Sequence, residues 1–456
     1  MTLSPVARPK LYSEMPESQA HNAFLFRGGT AAPEMKKYCG NPPLLNREQR
    51  LREAVFLSFC EGFPRKLDSL CSLSRADWQR LLDWLDISGL ALYFLDRIVQ
   101  LELRDVLPET AIRRLEQNAT DNAQRTLGMA NESVTIQYAF QEAGLSYAVM
   151  KGLSLWPVSV PRPELRHQFD LDFLVSESSA NEARRILEDR GYRLFAMSGK
   201  SWEFKINETP YVSVKDLYKD NPYRAVELHL EHDTAAVSSR LDRVVHEEKF
   251  GMNMPVFSPV DLFTGQAMHA FKDVCSAFSR AAHLLEFYRH VMYRHDDAMF
   301  WHDLHVRVGE DRRICVGIGV VTYLLSRIMG DFAPQTLTAW TVDALPPSAR
   351  LWVDLYGRRV AFGKHPGTKL YLLLQKELEA AGLPGKRSVG KSLVPSRLPP
   401  AVVRGASSGE SLQTRMARYR IQARVVLSRA RFHVVEGIRY AAESYRWRQH
   451  LERLSS

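Results

Sequence analysis

The sequence predicts a mixed α/β (α+β) fold in which a small sheet is flanked by N- and C-terminal helical regions. Three observations support this prediction. Apolar residues recur at helical spacing in the N-terminal part, short strand-like apolar runs follow in the middle, and the pattern is helical again from Pro259 to about Ala381. With 456 residues, 45% of them hydrophobic, the chain is long enough for two or three domains.

The N-terminal helical region is expected at residues 47–143. Around Trp78 and Leu85 the apolar residues repeat with a period close to 3.6. Ser74 and Asp77, which precede Trp78, are of the residue types that favour the start of a helix. Residues 1–46 carry Pro, Gly and charge, and we expect a poorly ordered leader there.

The central core is expected at residues 144–258. An amphipathic helix at residues 179–190 ends before Gly191, a typical C-cap residue. The other elements of the core are strands, predicted at residues 145–150, 171–175, 202–206, 211–217 and 225–230.

The C-terminal part divides into a helical domain at residues 259–383, a Pro-, Ser- and Gly-rich linker at 384–411 and a basic amphipathic helix at 412–456. Residues 386–456 hold 15 Lys and Arg against 4 Asp and Glu, a net charge of +11, so the rest of the +9 chain is close to neutral at −2. The final helix either docks on the body or contacts nucleic acid or an anionic surface. Its basic stripe consists of Arg424, Arg431, Arg439, Arg446 and Arg453.

The composition excludes some classes of protein. No run of 18 uninterrupted apolar residues occurs, so we expect no transmembrane segment. The five cysteines are scattered and form no CxxC pair, which argues against a disulfide or cysteine–zinc framework and indicates a cytoplasmic protein.

The strongest chemical signal is the pair Asp170-Leu171-Asp172. On a strand, residues i and i+2 share one face and lie roughly 6.5–7 Å apart. Two carboxylates on one face repel each other, and a divalent cation between them would remove the repulsion. Leu171 and its i+2 neighbours would point the other way, into a core.

Two further segments fit this pair. Lys151-Gly152-Leu153-Ser154 stands where a strand turns towards a helix, and such a turn lets phosphate approach the backbone. Glu227 lies two residues before His229 on another strand and would add a third carboxylate, although Glu231 and Asp233 are near enough in sequence to take that place. Two ions about 3.5–4 Å apart in such a cage can hold a triphosphate.

These segments together resemble the uncharacterised nucleotidyltransferase family of bacteria, within the DNA polymerase β-like superfamily. The resemblance covers roughly residues 47–360 and is carried by Lys151-Gly152, by Arg166-x-x-x-Asp170-x-Asp172 and by Glu227-Leu-His229. It implies a polymerase-β-like nucleotidyltransferase core with a small mixed sheet flanked by helices.

The resemblance also implies roles for individual residues. Mg²⁺ (or Mn²⁺) is the implied cofactor, and a nucleoside triphosphate such as ATP the implied substrate. The implied catalytic residues, which are also the metal ligands, are Asp170, Asp172 and Glu227, and the implied nucleotide-binding residues are Lys151, Gly152, Ser154 and Arg166. From the residues alone, Arg166 could instead form a salt bridge, and His229 is expected to hydrogen-bond a carboxylate.

The expected function is nucleotidyl transfer to an acceptor hydroxyl on a tRNA end, a protein side chain or a small molecule. The alternative is a catalytically degenerate nucleotide-binding or scaffold protein, which is mildly favoured by Leu153 standing where the superfamily has a Gly-Ser or Gly-Gly pair. Residues 385–392 fit the P-loop pattern, but a helical pattern precedes them instead of a buried strand, so we do not expect a phosphate loop there.

Overall fold

The structure is a computed structural model. It describes residues 45–60, 70, 72–206, 217–219, 225–231, 239–277, 279–383, 389–393 and 412–455. Almost all of the expected leader, most of the expected linker and the strand expected at 211–217, except Leu217, lie outside the described residues.

The N-terminal region is helical, as the apolar spacing predicts. The second helix begins at a capping box, because the Ser74 hydroxyl accepts from the Asp77 N–H and the Asp77 carboxylate accepts in return. It ends at Gly89, whose φ of +78° belongs to the left-handed region that favours glycine. The helices are α1 (Arg47–Leu57), α2 (Arg75–Ser88), α3 (Ala91–Gln100) and the 34-residue α4 (Glu109–Glu142).

A seven-stranded mixed sheet forms the centre, in the order β3-β4-β5-β2-β1-β7-β6. Four of its strands, β1, β2, β4 and β5, confirm the sequence prediction. The predicted helix is also present, as α5 (Ala180–Asp189) between β2 and β3. The strands are β1 (Tyr147–Met150), β2 (Asp170–Ser176), β3 (Arg193–Ser198), β4 (Ser201–Lys205), β5 (Ala225–Glu231), β6 (Val245–Lys249) and β7 (Met252–Val256).

Strands β3, β6 and β7 were not predicted from the sequence. β6 reads Val-His-Glu-Glu-Lys and β7 contains Pro255, so neither has the residue types that strands prefer. The hairpin between them depends on a tight turn, in which Phe250 and Gly251 have φ values of +53° and +73° and Lys249 pairs with Met252. Turn geometry and pairing with β1 therefore define this edge of the sheet.

The two faces of β2 serve different purposes. Leu171, Phe173 and Val175 are at most 4% exposed and pack in a core formed with α4 and α5, as the alternation predicts. Leu174 belongs instead to the core of the helical body. Asp170 and Asp172 share the face of Leu174, so the carboxylates lie where the sheet meets the helical body.

The C-terminal helical body begins at Pro259, as the sequence predicts, and the fold class is confirmed. The domain boundaries stay a prediction. One short helix, α14, lies within the expected linker and includes the last four residues of the P-loop pattern. The helices are α6 (Pro259–Val274), α7 (Ala281–Tyr293), α8 (Ala298–Val308), α9 (Arg312–Met329), α10 (Gln335–Thr338), α11 (Pro347–Trp352), α12 (Arg358–Ala361), α13 (Tyr371–Ala380) and α14 (Val389–Leu393).

The last helix, α15 (Leu412–Ser455), docks on the body through its C-terminal half. Trp447 is 2% exposed and its indole donates to Glu377, while Tyr356 donates to Glu443 at 3.2 Å. Arg446 pairs with Glu443, so part of the basic stripe is neutralised. Among the helices of the described residues, none has both the length and the apolar composition that crossing a bilayer requires.

Candidate functional site

Strand pairing brings three of the sequence-predicted segments together. β2 runs antiparallel to β1 and parallel to β5, and Asp172 is opposite Met150 on one side and Glu227 on the other. Lys151 follows Met150 directly. The loop after β1 and the starts of β2 and β5 therefore meet at one point on the sheet, as the spacing of the motifs predicts.

Asp172 is the centre of this cluster. Its side chain is buried, and its Oδ1 atom accepts from Lys151 Nζ at 2.8 Å and lies 2.9 Å from His229 Nε2. Burial opposes the charge on Lys151, but the Asp172 carboxylate more than offsets this and the pKa of Lys151 is raised. The expected hydrogen bond between His229 and a carboxylate is confirmed.

His229 and Glu227 also stabilise each other. The hydrogen bond from His229 is the main cause that lowers the pKa of Glu227 to about 2, and the Ser201 hydroxyl donates to the same carboxylate. Burial lowers the pKa of His229, but its hydrogen bonds to Asp172 and Glu227 raise the pKa by more than burial lowers it, so the net effect is an increase. Glu227 is therefore an anion at any physiological pH.

The carboxyl group of Asp170 has a raised pKa. Burial, followed by repulsion from Asp172, raises its pKa to about 6 even though Lys151 acts in the opposite direction. Three carboxylates on one face hold more negative charge than Lys151 and His229 offset. The protein partly protonates Asp170 instead, which is the electrostatic conflict that the Asp-x-Asp spacing predicts.

The turn after β1 is tightly built. Lys151 has a φ of +51°, unusual for a residue with a Cβ atom, and Gly152 has a φ of +39°. A Cβ atom at position 152 would lie 2.2 Å from Gln168 Oε1, so glycine is required by both backbone and space. The Ser154 hydroxyl donates to the Lys151 carbonyl within the turn, at 2.7 Å.

Arg166 connects the sheet to the helical body. Its Nε atom donates to Glu286 at 3.1 Å and its Nη1 atom to Gln168 at 3.3 Å. Glu286 is 1% exposed and also accepts from the Tyr93 hydroxyl. Of the two interpretations of Arg166 from sequence, the salt bridge is present, and its contact with phosphate stays a prediction.

Sequence reasoning found most of the cluster but missed its supports. Ser201 and Tyr93 are far in sequence from the motif residues they support, and Gln168 occupies a position that the Arg166-x-x-x-Asp170 motif leaves open, so only the fold shows their contacts. The Ser201 contact depends on β4, which pairs Ser201 with His229 across the sheet. The roles of the predicted site residues stay predictions, although the structure places their side chains together.

The donor set fits a divalent cation. Asp172, Glu227 and His229 can each bring one ligand atom within 4.8 Å of the others, and Asp170 lies on the same strand face as Asp172. Carboxylate oxygens are the ligands that Mg²⁺ and Mn²⁺ prefer, and an imidazole beside them is compatible with Mn²⁺.

Comparison with known proteins identifies a family for this chain. Residues 74–312, just over half of the chain, match a family described as an uncharacterised nucleotidyltransferase. An antigenic nucleotidyltransferase-like protein from Paracoccidioides brasiliensis is similar in structure over 47% of this chain and 97% of its own, with 12% identity and a TM-score of 0.28. No curated protein matches the chain.

Substituting Gly152 tests the turn. In Gly152→Ala the new methyl group displaces Gln168, so we expect a loss of about 1–2 kcal/mol in unfolding free energy beyond that of Gly144→Ala. Gly144 is the matched control, because its φ is +67° with no atom within 4 Å of an added Cβ. Urea unfolding measures the unfolding free energy of both glycine variants. Adding Gln168→Ala to Gly152→Ala should recover the extra loss, because it removes the side chain that the new methyl group meets. Equal losses for the two glycines would contradict this account.

The raised pKa of Asp170 predicts a pH dependence of stability. Between its usual value of 3.8 and about 6 the folded chain binds more protons than the unfolded one, so stability falls as pH rises through this window. Asp170→Asn should therefore be more stable than the wild type at pH 7, by about 1–3 kcal/mol, and equal to it near pH 4.

Urea unfolding from pH 4 to 7.5 in EDTA measures this difference. Asp189→Asn, which changes an exposed carboxylate on α5, controls for the substitution itself. A difference between wild type and Asp170→Asn that stays constant with pH would show that the Asp170 pKa is not raised.

Proposed function

The chain belongs to the uncharacterised nucleotidyltransferase family, and we propose that it transfers a nucleoside monophosphate from a nucleoside triphosphate, such as ATP, to an acceptor hydroxyl. The acceptor oxygen forms a bond to the α-phosphorus, the bond to the β-phosphate oxygen breaks, and pyrophosphate leaves. The observation that carries the proposal is the register of β2 and β5, which places Asp172 opposite Glu227 beside Lys151.

Asp170, Asp172 and Glu227 would hold two divalent cations in this proposal. When bound, Mg²⁺ or Mn²⁺ supplies charge for the triphosphate and lowers the pKa of the acceptor hydroxyl. Because the pKa of Glu227 is about 2, this carboxylate acts as a permanent anion and does not store the proton that the acceptor loses. Neutralising the repulsion at Asp170 would also lower its pKa, so cation binding below about pH 6 would release a proton.

Lys151, Gly152, Ser154 and Arg166 would bind the phosphates. Lys151 forms an ion pair with Asp172, and the competing charge of a cation at the carboxylates would release its ammonium group for a phosphate oxygen. Gly152 lets the triphosphate approach the backbone of the turn. The bond of Ser154 to the Lys151 carbonyl supports the turn, and the salt bridge to Glu286 orients Arg166 from behind.

The acceptor class is open in this proposal: a tRNA end, a protein side chain or a small molecule. We place the reaction in the cytoplasm, in keeping with the scattered cysteines. The alternative function is a catalytically degenerate nucleotide-binding or scaffold protein. Calorimetry tests the scaffold alternative, because a scaffold should bind no triphosphate in a Mg²⁺-dependent manner. A degenerate nucleotide-binding protein would bind triphosphate but show no transfer in the assay below.

The N-terminal half of α15 supports a second proposal, contact with nucleic acid or an anionic surface. Residues 412–435 contain six arginines and no acidic residue. The side chains of Arg424, Arg429 and Arg431 are exposed, whereas Arg439 and Arg446, farther along the helix, pair with glutamates. The exposed guanidinium groups of Arg424, Arg429 and Arg431 therefore present positive charge to the surroundings.

Asp172→Asn tests the reaction. The amide is a poorer cation ligand and does not pair with Lys151, so we expect transfer to fall by at least about 100-fold while the fold is kept. The assay incubates α-labelled triphosphates with cell extract and follows the label. Glu248→Gln, on an exposed carboxylate of β6, is the control and should keep full activity. An Asp172→Asn variant as active as wild type would refute the mechanism.

Arginine substitutions test the basic half of α15. In the triple variant Arg424→Gln, Arg429→Gln, Arg431→Gln, the slope of log affinity against log salt for single-stranded RNA should fall by about 2, since each lost phosphate contact removes about 0.7. Fluorescence anisotropy over a salt series measures it. The matched control replaces the exposed Arg113, Arg184 and Arg185. An unchanged slope would refute RNA binding here, and the same series with anionic vesicles tests the other surface.

A further inference from the structure

A second group of metal-ligand side chains lies between α6 and α7. His269 and Asp273 are four residues apart on α6 and therefore on one helix face, and His283 comes from α7. Each of the three can bring a ligand atom within 4.8 Å of the other two. The two imidazole rings are 4.4 Å apart between centroids. None of these residues is needed by the proposed transfer reaction.

Neighbouring groups orient the carboxylate of this cluster. Asp273 Oδ2 is 2.7 Å from His283 Nδ1 and accepts the backbone N–H of Arg280 at 3.3 Å. The guanidinium group of Arg280 contacts His167 at 3.3 Å. A backbone donor behind a ligand carboxylate is the support that metal sites in proteins use to fix their ligands.

The chemistry of the side chains selects the kind of ion. A histidine binds a metal ion through its neutral imidazole. Two neutral imidazoles with one carboxylate suit Zn²⁺, Fe²⁺ or Co²⁺ and not Mg²⁺, which prefers oxygen.

The distances require little rearrangement. A tetrahedral ion with bonds of about 2.1 Å holds its ligand atoms about 3.4 Å apart. The pairs of the cluster lie between the 2.7 Å contact and the 4.8 Å limit, so each would change by less than about 1.5 Å. Three protein ligands leave one position for water or another molecule.

We propose that His269, Asp273 and His283 form a site for one divalent transition-metal ion of the Zn²⁺ type. The site joins α6 to α7. It has no ligand in common with the carboxylate cluster and does not depend on nucleotidyl transfer. The alternative is that these residues bind no metal and that the His283–Asp273 hydrogen bond only links the two helices.

Cobalt binding tests the proposal. Measurements are made on the full chain carrying Asp172→Asn, so that the carboxylate cluster contributes little. After EDTA treatment and its removal, equilibrium dialysis against CoCl₂ should give one bound Co²⁺ per chain, with visible d–d absorption typical of four-coordinate cobalt. His269→Gln and His283→Gln should each weaken binding by at least about 100-fold and remove the absorption.

A matched variant and a second readout complete the experiment. His302→Gln changes an exposed histidine on α8 and should bind Co²⁺ as the parent does. Circular dichroism checks folding, and if the buried His283→Gln fails to fold, the half-buried His269→Gln decides the result. The proposal is wrong if the parent chain binds no cobalt with visible absorption, or if His269→Gln binds it like the parent. Because no triphosphate is used, these outcomes are independent of the transfer reaction.

Discussion

The buried carboxylate of Asp172 is the interaction on which the rest of the site depends. A carboxylate at this depth needs charge partners, and the fold supplies Lys151 at 2.8 Å and His229 at 2.9 Å from one oxygen. Both partners come from other strands or their ends, so the contacts of Asp172 link three strands. Even so, burial and the repulsion from Asp172 together raise the pKa of Asp170. An arrangement that destabilises the ion-free protein is the arrangement that a cation would stabilise.

The helical body contributes by holding the edges of this cluster. Arg166, in the loop before β2, donates a hydrogen bond to Glu286. Glu286 is buried on α7 and also accepts a hydrogen bond from Tyr93 of α3. Gln168 lies between Arg166 and Gly152, and so it connects the turn after β1 to the hydrogen bonds of Arg166 and Glu286. Helices that precede and follow the sheet in sequence, α3 and α7, therefore hold the turn after β1, and both lie within the residues that match the family.

The two proposed cation sites and the basic surface differ in the chemical groups that they offer to a ligand. The carboxylate cluster has hard oxygen ligands, the cluster of His269, Asp273 and His283 has imidazoles, and the N-terminal half of α15 carries arginines without acids. Their ligand types differ, so each can be tested without disturbing the others. The docked half of α15 anchors the basic half through Trp447, which keeps the arginines attached to the folded body.

The sequence by itself determined the local features, because these follow from spacing along one segment. The alternation of β2 places Asp170 and Asp172 on one face, and Lys151-Gly152 marks the turn after β1. The spacing along the sequence could not decide whether Glu227 or Glu231 is the third carboxylate of the cluster, since both lie on the same face of β5. The parallel register of β2 and β5, a long-range property, pairs Asp172 with Glu227, while Glu231 binds Arg240 at the far end of the strand. The hairpin strands, the partner of Arg166 and the imidazole cluster were likewise decided only by tertiary contacts, which bring together residues with no pattern in common.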